Sequence, residues 1–153
     1  SFHVTGVQTC ALPISDRGWG ARGGRRFALD RVTWTGKVPF EIHEMRAKPD
    51  GFELTFTHEI DAITAADPAS YSMSAYTYIY RADYGSPVVD QTTPKIVGAE
   101  VKGPKTVRLT VDKLIQGHVH ELRAKGVRSA KGLPILHPVG YYTLNEIPPG
   151  DLN

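Results

Sequence analysis

Apolar and polar side chains alternate along several short stretches of this 153-residue chain, and this period of two constrains its fold more than any other feature. The clearest stretch is GFELTFT, in which Phe52, Leu54 and Phe56 fall on one side and polar residues fall on the other. Because successive side chains of a β-strand point to opposite faces, this alternation predicts a half-buried strand. The turn sequence at residues 49–51 therefore predicts a hairpin over residues 40–57 with an aromatic inner face.

Further strands are predicted by the same pattern later in the chain. The stretches YSMSAYTYIY, HVHELRA and VGYYTLN each predict one strand. The stretches VGAEV and TVRLTV are separated by a turn that contains glycine and proline, so they predict a second hairpin. The buried faces of this hairpin are predicted to pair Val97, Ala99 and Val101 with Val107, Leu109 and Val111.

Two segments interrupt the alternation. Residues 61–70, DAITAADPAS, predict one helical turn and a corner in which Asp61 and Asp67 cap backbone N–H groups. Residues 83–95 carry a glycine and two prolines and predict a long loop. No window shows a sustained helical stripe. The chain is therefore predicted to be all-β, with an immunoglobulin-like or fibronectin-III-like antiparallel β-sandwich over residues 39–148, an irregular N-terminal arm before it and a tail over residues 149–153.

The composition limits the kinds of molecule and metal site that the chain is expected to bind. The chain is 41% hydrophobic and 22% charged, as in ordinary globular proteins, and its formal net charge of +2 gives no general reason to invoke nucleic acid or a membrane surface. No apolar run reaches the ~18–20 residues that a membrane span needs. The single cysteine, Cys10, excludes an internal disulfide framework and a zinc site made of several thiolates.

The first residues carry an unusual resemblance. Residues 4–14, VTGVQTCALPI, resemble the in-frame translation of a widely used sequencing adapter. The resemblance implies that residues 1–14 are an adapter-derived artefact of a metagenomic fragment, so Cys10 is given no role. The alternative is a natural, irregular N-terminal arm. The basic, glycine-rich run at residues 15–26 lacks the lysine and hydroxyl residue of a P-loop and predicts a tight loop.

A longer resemblance covers nearly all of residues 15–148. Three stretches of the chain resemble the bacterial Ig-like pattern: FELTFTHEIDAITAADPASYSM, AEVKGPKTVRLTV and HELRAKGVRSAKGLPIL. A narrower resemblance is to the C-terminal end of the proteins of one family. Three stretches carry it: RGWGARGGRRFALDRVTWTGKVPFEIHEMRAKPDGFELTF, YTYIYRADYGSP and YYTLNEIP. That family consists of large, secreted sorbosone/glucose-dehydrogenase-type β-propeller proteins of environmental bacteria that also contain a c-type cytochrome.

The resemblance implies that residues 15–38 are the end of a truncated propeller and a linker, and that the protein is secreted or periplasmic. The chain departs from the family because it has no C-x-x-C-H haem-attachment motif and is too short for propeller blades. The quinone- or haem-dependent activity of the parent is therefore not carried over. We predict that this chain is not an enzyme and has no cofactor.

The tyrosines of YSMSAYTYIY are the first candidate site. Tyr71, Met73, Ala75 and Ile79 share one parity and are predicted to face the core. The other parity presents three tyrosines in a row with a fourth nearby, which suits stacking on sugar rings or packing against another domain. The alternatives are that residues 83–95 bury this face, or that the missing propeller covers it. The candidates are Tyr76, Tyr78, Tyr80 and Tyr84.

The histidines are a weaker candidate. His118 and His120 share a strand face at a spacing that could bind a metal. Leu122 shares that face and is predicted to be buried, so a hydrogen-bonded core or rim histidine is the preferred interpretation of His120. His43, His58 and His137 could join such a site only if the topology brings them together.

Three functions follow from these candidates. The preferred one is a non-catalytic accessory domain that docks on the propeller of an exported, dehydrogenase-like parent. The second is a carbohydrate-binding module that uses the tyrosines. The third is a small metalloenzyme at His118 and His120, which metal analysis of protein purified without a histidine tag would test. The predicted partners are the missing propeller and possible polysaccharides, with no nucleic acid and no membrane span.

Overall fold

The computed structural model describes residues 34–83 and 85–150. They belong to two compact units divided between Val38 and Pro39, and the first unit exposes Trp34 and Val38. The fold described below is that of the second unit. The predictions for the adapter-like segment, Cys10 and the glycine-rich loop lie outside the described residues, as does Tyr84.

The second unit is a sandwich of two antiparallel four-stranded sheets, which confirms the predicted all-β fold. The first sheet has the order β1-β2-β6-β5 and the second sheet the order β4-β3-β7-β8. The strands are β1 Ile42–Lys48, β2 Gly51–Phe56, β3 Ser72–Tyr78, β4 Val88–Thr92, β5 Ile96–Gly103, β6 Thr106–Val111, β7 His118–Arg123 and β8 Val139–Leu144.

The strand order is that of an immunoglobulin-type sandwich. In the constant-type arrangement one sheet contains strands A, B, E and D and the other contains C, F and G. Naming β1 to β3 as A to C and β5 to β8 as D to G reproduces both sheets, with β4 as an additional edge strand beside β3. The sequence predicted the architecture, and the structure adds this order.

The core lies between the two sheets and is made by the alternating apolar residues. Phe52 and Leu54 of β2 and Leu109 of β6 are fully buried from the first sheet, and Met73 of β3 and Leu122 of β7 meet them from the second. Burying each such side chain contributes about 1.5–3 kcal/mol. The hairpin predicted over residues 40–57 is confirmed, because β1 pairs with β2 and the inner face of β2 is buried.

A short corner connects the two sheets. It contains helix α1, Ala62–Ala66, and a 3₁₀ turn, Pro68–Ser70. The predicted caps are confirmed, since Asp61 accepts a hydrogen bond from the Thr64 N–H at 2.9 Å and Asp67 accepts one from the Ala69 N–H at 2.9 Å. No helix of the described residues is long and apolar enough to cross a membrane.

Residues 83–95 are not a long loop throughout, because they contain β4. This strand pairs with β3, with Thr77 opposite Val89 and Tyr78 opposite Val88. Pro87 lies just before β4, so its missing N–H leaves the ladder intact. Within β4, Asp90 has a positive φ of 52°, and the pairing register shifts there. An irregular edge strand of this kind shows no alternation in sequence.

Two predicted core positions are wrong. Val97 is 58% exposed because the register of β5 slips between Ile96 and Gly98, and Ile96 packs against the core in its place. Ile79 is 47% exposed because β3 ends at Tyr78, so the alternation of its strand no longer applies to it.

Candidate functional site

The three described candidate tyrosines do not form a uniform strip. Tyr76 lies on β3 and is 9% exposed, Tyr78 is 48% exposed at the end of the strand, and Tyr80 is fully exposed beyond it. The predicted row of three tyrosines stops at Tyr78, because β3 ends there and does not include Tyr80. Residues 88–92 lie beside β3 in the same sheet and do not fold over its outer face.

The two tyrosines on the strand form an edge-to-face pair. Their ring centroids are 5.6 Å apart, and the rings are inclined by 88°. Interaction with the Tyr78 hydroxyl, with a smaller contribution from burial, raises the pKa of Tyr76 to about 12. A sugar ring stacks on a flat, open aromatic face. Perpendicular rings with one nearly buried member give a better surface for packing against protein side chains.

The second sheet extends this surface across other strands. Tyr76 stands opposite Val119 of β7, and Tyr78 stands opposite Val88 of β4. Tyr141 of β8, 62% exposed, lies in the next row, where it stands opposite Glu121 of β7. We call this set the aromatic face, and its members are Tyr76, Tyr78, Val88, Val119 and Tyr141.

Sequence reasoning missed three members of the aromatic face. Val88, Val119 and Tyr141 lie far from Tyr76 and Tyr78 in the chain, and only the strand order brings them together. The alternation of VGYYTLN could have indicated that Tyr141 faces away from the core, since Leu144 of opposite parity is fully buried. Nothing in the sequence indicated that β8 lies two strands away from β3.

The outer face of the first sheet has the opposite character. One row crosses all four strands with alternating charge, from Arg46 through Glu53 and Arg108 to Glu100. Further ion pairs flank this row, and Arg108 also binds Asp50. The flanking pairs are Glu44 with Arg46 at 2.7 Å, Lys48 with Glu53 at 3.5 Å and Glu100 with Lys102 at 2.7 Å. We call this the charged face.

His120 is a core residue. It is fully buried, and its ring centroid lies 5.3 Å from that of Phe52. The backbone N–H of Ile115 donates to Nε2 at 3.4 Å, so Nδ1 carries the proton and donates to the His118 carbonyl at 3.3 Å. Burial lowers the pKa of His120; the hydrogen bond to the His118 carbonyl partly opposes this shift, and the charge of the His118 side chain adds to it. Both ring nitrogens of neutral His120 are thus already hydrogen-bonded.

Three other histidines of the described residues have neighbours of their own. His118 is partly exposed, with its Nδ1 3.3 Å from the Gln116 carbonyl, and His137 Nδ1 lies 2.6 Å from the Glu41 carboxylate. The ring of His58 lies 6.5 Å from that of Phe40. Between residues 34 and 150, Tyr84 excepted, no group of three or more His, Cys, Asp or Glu side chains is arranged to hold a metal ion.

Two concavities lie on the surface of the described residues, and they include some of the histidines and Tyr141. A groove of about 380 Å³ runs between β1 and β8. A depression of about 490 Å³ lies between residues that follow β2 and the turn at residues 129–133. Its charged members point to no single ligand, since lysines and a glutamate share it. It is lined by His58, Glu59, Lys105, Ser129, Ala130, Lys131 and Leu133.

The strand order places residues 39–150 among immunoglobulin-type β-sandwiches, and solved structures of surface-layer proteins are similar to the chain. The N-terminal part of the bacterial S-layer protein SbsC is similar, with a TM-score of 0.53 and 18% identity over 71% of this chain and 24% of that one. The S-layer protein rSbsC(31-844) has a TM-score of 0.54 and 18% identity over 74% of this chain and 14% of that one. Surface layer protein SbsC, domains 1-6, has a TM-score of 0.54 and 19% identity over 74% of this chain and 14% of that one.

At this level of identity the similarity establishes the fold alone. The chain spans from 14% to 24% of the length of these proteins. No family profile and no curated protein matches the sequence.

Proposed function

We propose that residues 39–148 form a non-catalytic structural module of a larger, exported protein, and that the aromatic face packs against a neighbouring domain of that protein. The contrast between the two outer faces carries this proposal. The carboxylates and cations of the charged face compensate one another in water. The aromatic face leaves Tyr78, Val88 and Tyr141 about half exposed or more.

The size of the aromatic face favours a tethered partner. Strands lie about 4.8 Å apart and same-face residues about 6.7 Å apart, so a patch three strand spacings wide and two residue steps long covers roughly 200 Å². A stable interface between separate proteins buries about 800 Å² on each partner. A domain on the same chain needs less, because tethering raises its effective concentration.

The ends of the sandwich also suit a domain within a series. Glu41, before β1, lies beside His137, before β8, and Gly140 of β8 lies close to Met45 of β1. The two strands therefore run in the same direction, and the first strand begins at the opposite end from where the last strand finishes. Chains of this geometry can be joined end to end, and one similar structure is described as domains 1-6 of a surface layer protein.

The finer proposal concerns the parent protein. The resemblance over residues 15–148 supports a secreted or periplasmic, dehydrogenase-like parent whose propeller is the neighbouring domain. The names of the similar structures, which are surface-layer proteins, also support an extracellular location.

One substitution measured in two contexts tests the docking. In the isolated chain, Tyr78→Ser removes a half-exposed ring and its edge-to-face contact with Tyr76, so the melting temperature is expected to fall slightly, by less than in the longer protein. In the longer protein it should lower the melting temperature of the module and increase hydrogen exchange in β3, because it removes part of a buried interface. Val97→Ser, at an exposed apolar position outside the aromatic face, should leave the melting temperature unchanged in both the isolated chain and the longer protein.

Equal effects of Tyr78→Ser in the two contexts would contradict docking through the aromatic face. The non-catalytic assignment has a separate test, in which the purified chain is incubated with sugars and an artificial electron acceptor. Turnover of any sugar would contradict it.

The second candidate function is carbohydrate binding, favoured by the full exposure of Tyr80 next to the half-exposed Tyr78. Binding on a glycan array that is lost in Tyr78→Ala would support it. Absence of binding to every polysaccharide tested would count against carbohydrate binding.

A further inference from the structure

The four edge strands of the sandwich differ in how they are protected. Natural sheets discourage pairing at their edges with charges, bulges and short strands. The protected edges are β1, β4 and β5. The pairing of β1 and β5 shifts register along the strand, and both strands carry charged side chains. β4 has five residues and contains Asp90 at positive φ.

The edge strand β8 has none of these protections. Its sequence, VGYYTL, contains no charged residue and no proline. It pairs with β7 over six successive positions without a register shift, and within the described residues no strand pairs with its outer side. The groove of about 380 Å³ beside it, lined by Val139, Gly140 and Tyr141 and by residues of β1, leaves room for an approaching chain.

The backbone groups of β8 that face outward can be assigned from the hydrogen bonds between residues flanking β8 and residues flanking β7. Ala124 donates to the Pro138 carbonyl at 2.8 Å, and Gly117 donates to the Leu144 carbonyl at 2.7 Å. Because hydrogen bonds alternate along an antiparallel pair, the even-numbered residues point their backbone groups toward β7. The N–H and C=O groups of Val139 and Tyr141 therefore point to the open side.

We propose that β8 pairs antiparallel with β8 of a second copy of this chain, with Tyr141 opposite Tyr141. Directly opposed residues must share a face, so this register places Val139 opposite Thr143 on both sides of the two-fold axis. Aromatic and β-branched residues form the favourable cross-strand pairs, and no like charges meet. The strand is thus complementary to itself, which argues for a second copy as the occupant of the edge.

The resulting dimer is weak. A pair of six-residue strands buries far less than the roughly 800 Å² per partner that a stable complex needs. Association therefore depends strongly on concentration. The pairing uses the backbone edge of β8, and Tyr141 is the one residue that it shares with the aromatic face.

Sedimentation velocity of the full chain over increasing concentration tests this pairing, with a reductant present to keep Cys10 from cross-linking. The average mass should rise from monomer toward dimer. Tyr141→Lys places two like charges opposite each other and should weaken the dimer at least about ten-fold, which corresponds to about 1.4 kcal/mol. Thr143→Lys should weaken it through the same edge, and both positions are exposed.

Two controls separate the edge from the rest of the surface. Val97→Lys adds the same charge to the protected edge β5 and should leave the dimer intact. Tyr78→Ser alters the aromatic face and should also leave it intact. A chain that stays monomeric at all concentrations overturns the proposal, as does a dimer that survives both lysine substitutions in β8. A dimer lost only in Tyr78→Ser would assign association to the aromatic face instead.

Discussion

At the scale of single residues, burial decides the chemistry of the two histidines on β7. The alternation of HVHELRA placed His118 and His120 on one face but could not tell which neighbours they meet. In the structure His120 contacts Phe52, and the Ile115 N–H donates to it, whereas His118 lies nearer the surface. A residue pair with metal-binding spacing thus contains one residue whose side chain completes the core.

The buried state of His120 predicts how stability depends on pH. Its pKa is lowered in the folded protein, so below the ordinary value of about 6.5 the unfolded chain takes up a proton first. The free energy of unfolding should therefore fall as the pH is lowered from 7.5 to 5, by at most about 1.4 kcal/mol per pH unit for this one proton. Denaturant unfolding of wild type and His120→Phe across this range measures the contribution.

The variant should show a shallower pH dependence than wild type, because the phenyl ring does not titrate. His43→Gln removes an exposed histidine and should keep the wild-type slope. An unchanged slope in His120→Phe would mean that the pKa of His120 is the same in the folded and unfolded states.

At the scale of elements, turns and strand ends explain what the sequence predicted and what it did not. The β1–β2 hairpin was predicted because its alternation and its turn residues agree. β4 was missed because a short edge strand with an irregular register has no alternation. Gly51 appeared to serve the turn, yet it begins β2, and a Cβ there would overlap the Leu109 carbonyl oxygen of β6. The glycine therefore allows two strands to approach.

This close approach predicts the effect of one methyl group. Gly51→Ala should destabilise the protein by about 1–3 kcal/mol, because β2 and β6 must move apart at the centre of the first sheet. Thermal or denaturant unfolding measures the change. Gly98→Ala is the matched control, since a Cβ there meets only Thr110 side-chain atoms at 3.5 Å, an ordinary contact. Equal stability of the two variants would contradict this role of Gly51.

At the scale of the whole molecule, the buried core is formed by residues of the sandwich. The buried apolar cluster runs from Phe40 to Ile135, and β8 adds the fully buried Leu144. Both sheets are complete within residues 42–144. The outer face of the first sheet is the charged face, and the outer face of the second sheet carries the aromatic face together with the Glu121–Arg123 ion pair, an arrangement that follows from strand order.

A self-contained core predicts independence from the preceding segment. A chain shortened to residues 39–153 should melt within about 4 °C of the full chain, a shift that corresponds to less than about 1 kcal/mol for a domain of this size. A chain shortened to residues 49–153 lacks β1 and should lose cooperative unfolding, because Phe40, Ile42 and Met45 leave the core. A large loss of stability in the first truncation would show that residues 1–38 contribute to the fold.

The sequence by itself determined the strands other than β4, their core-facing sides apart from Val97 and Ile79, and the capped corner, because these depend on the period of two and on local turn chemistry. The tertiary structure alone decided the order of the strands, the assembly of the aromatic face from four strands and the open edge at β8. Those features depend on pairing between residues far apart in the chain, which the buried core selects and which local patterning does not encode.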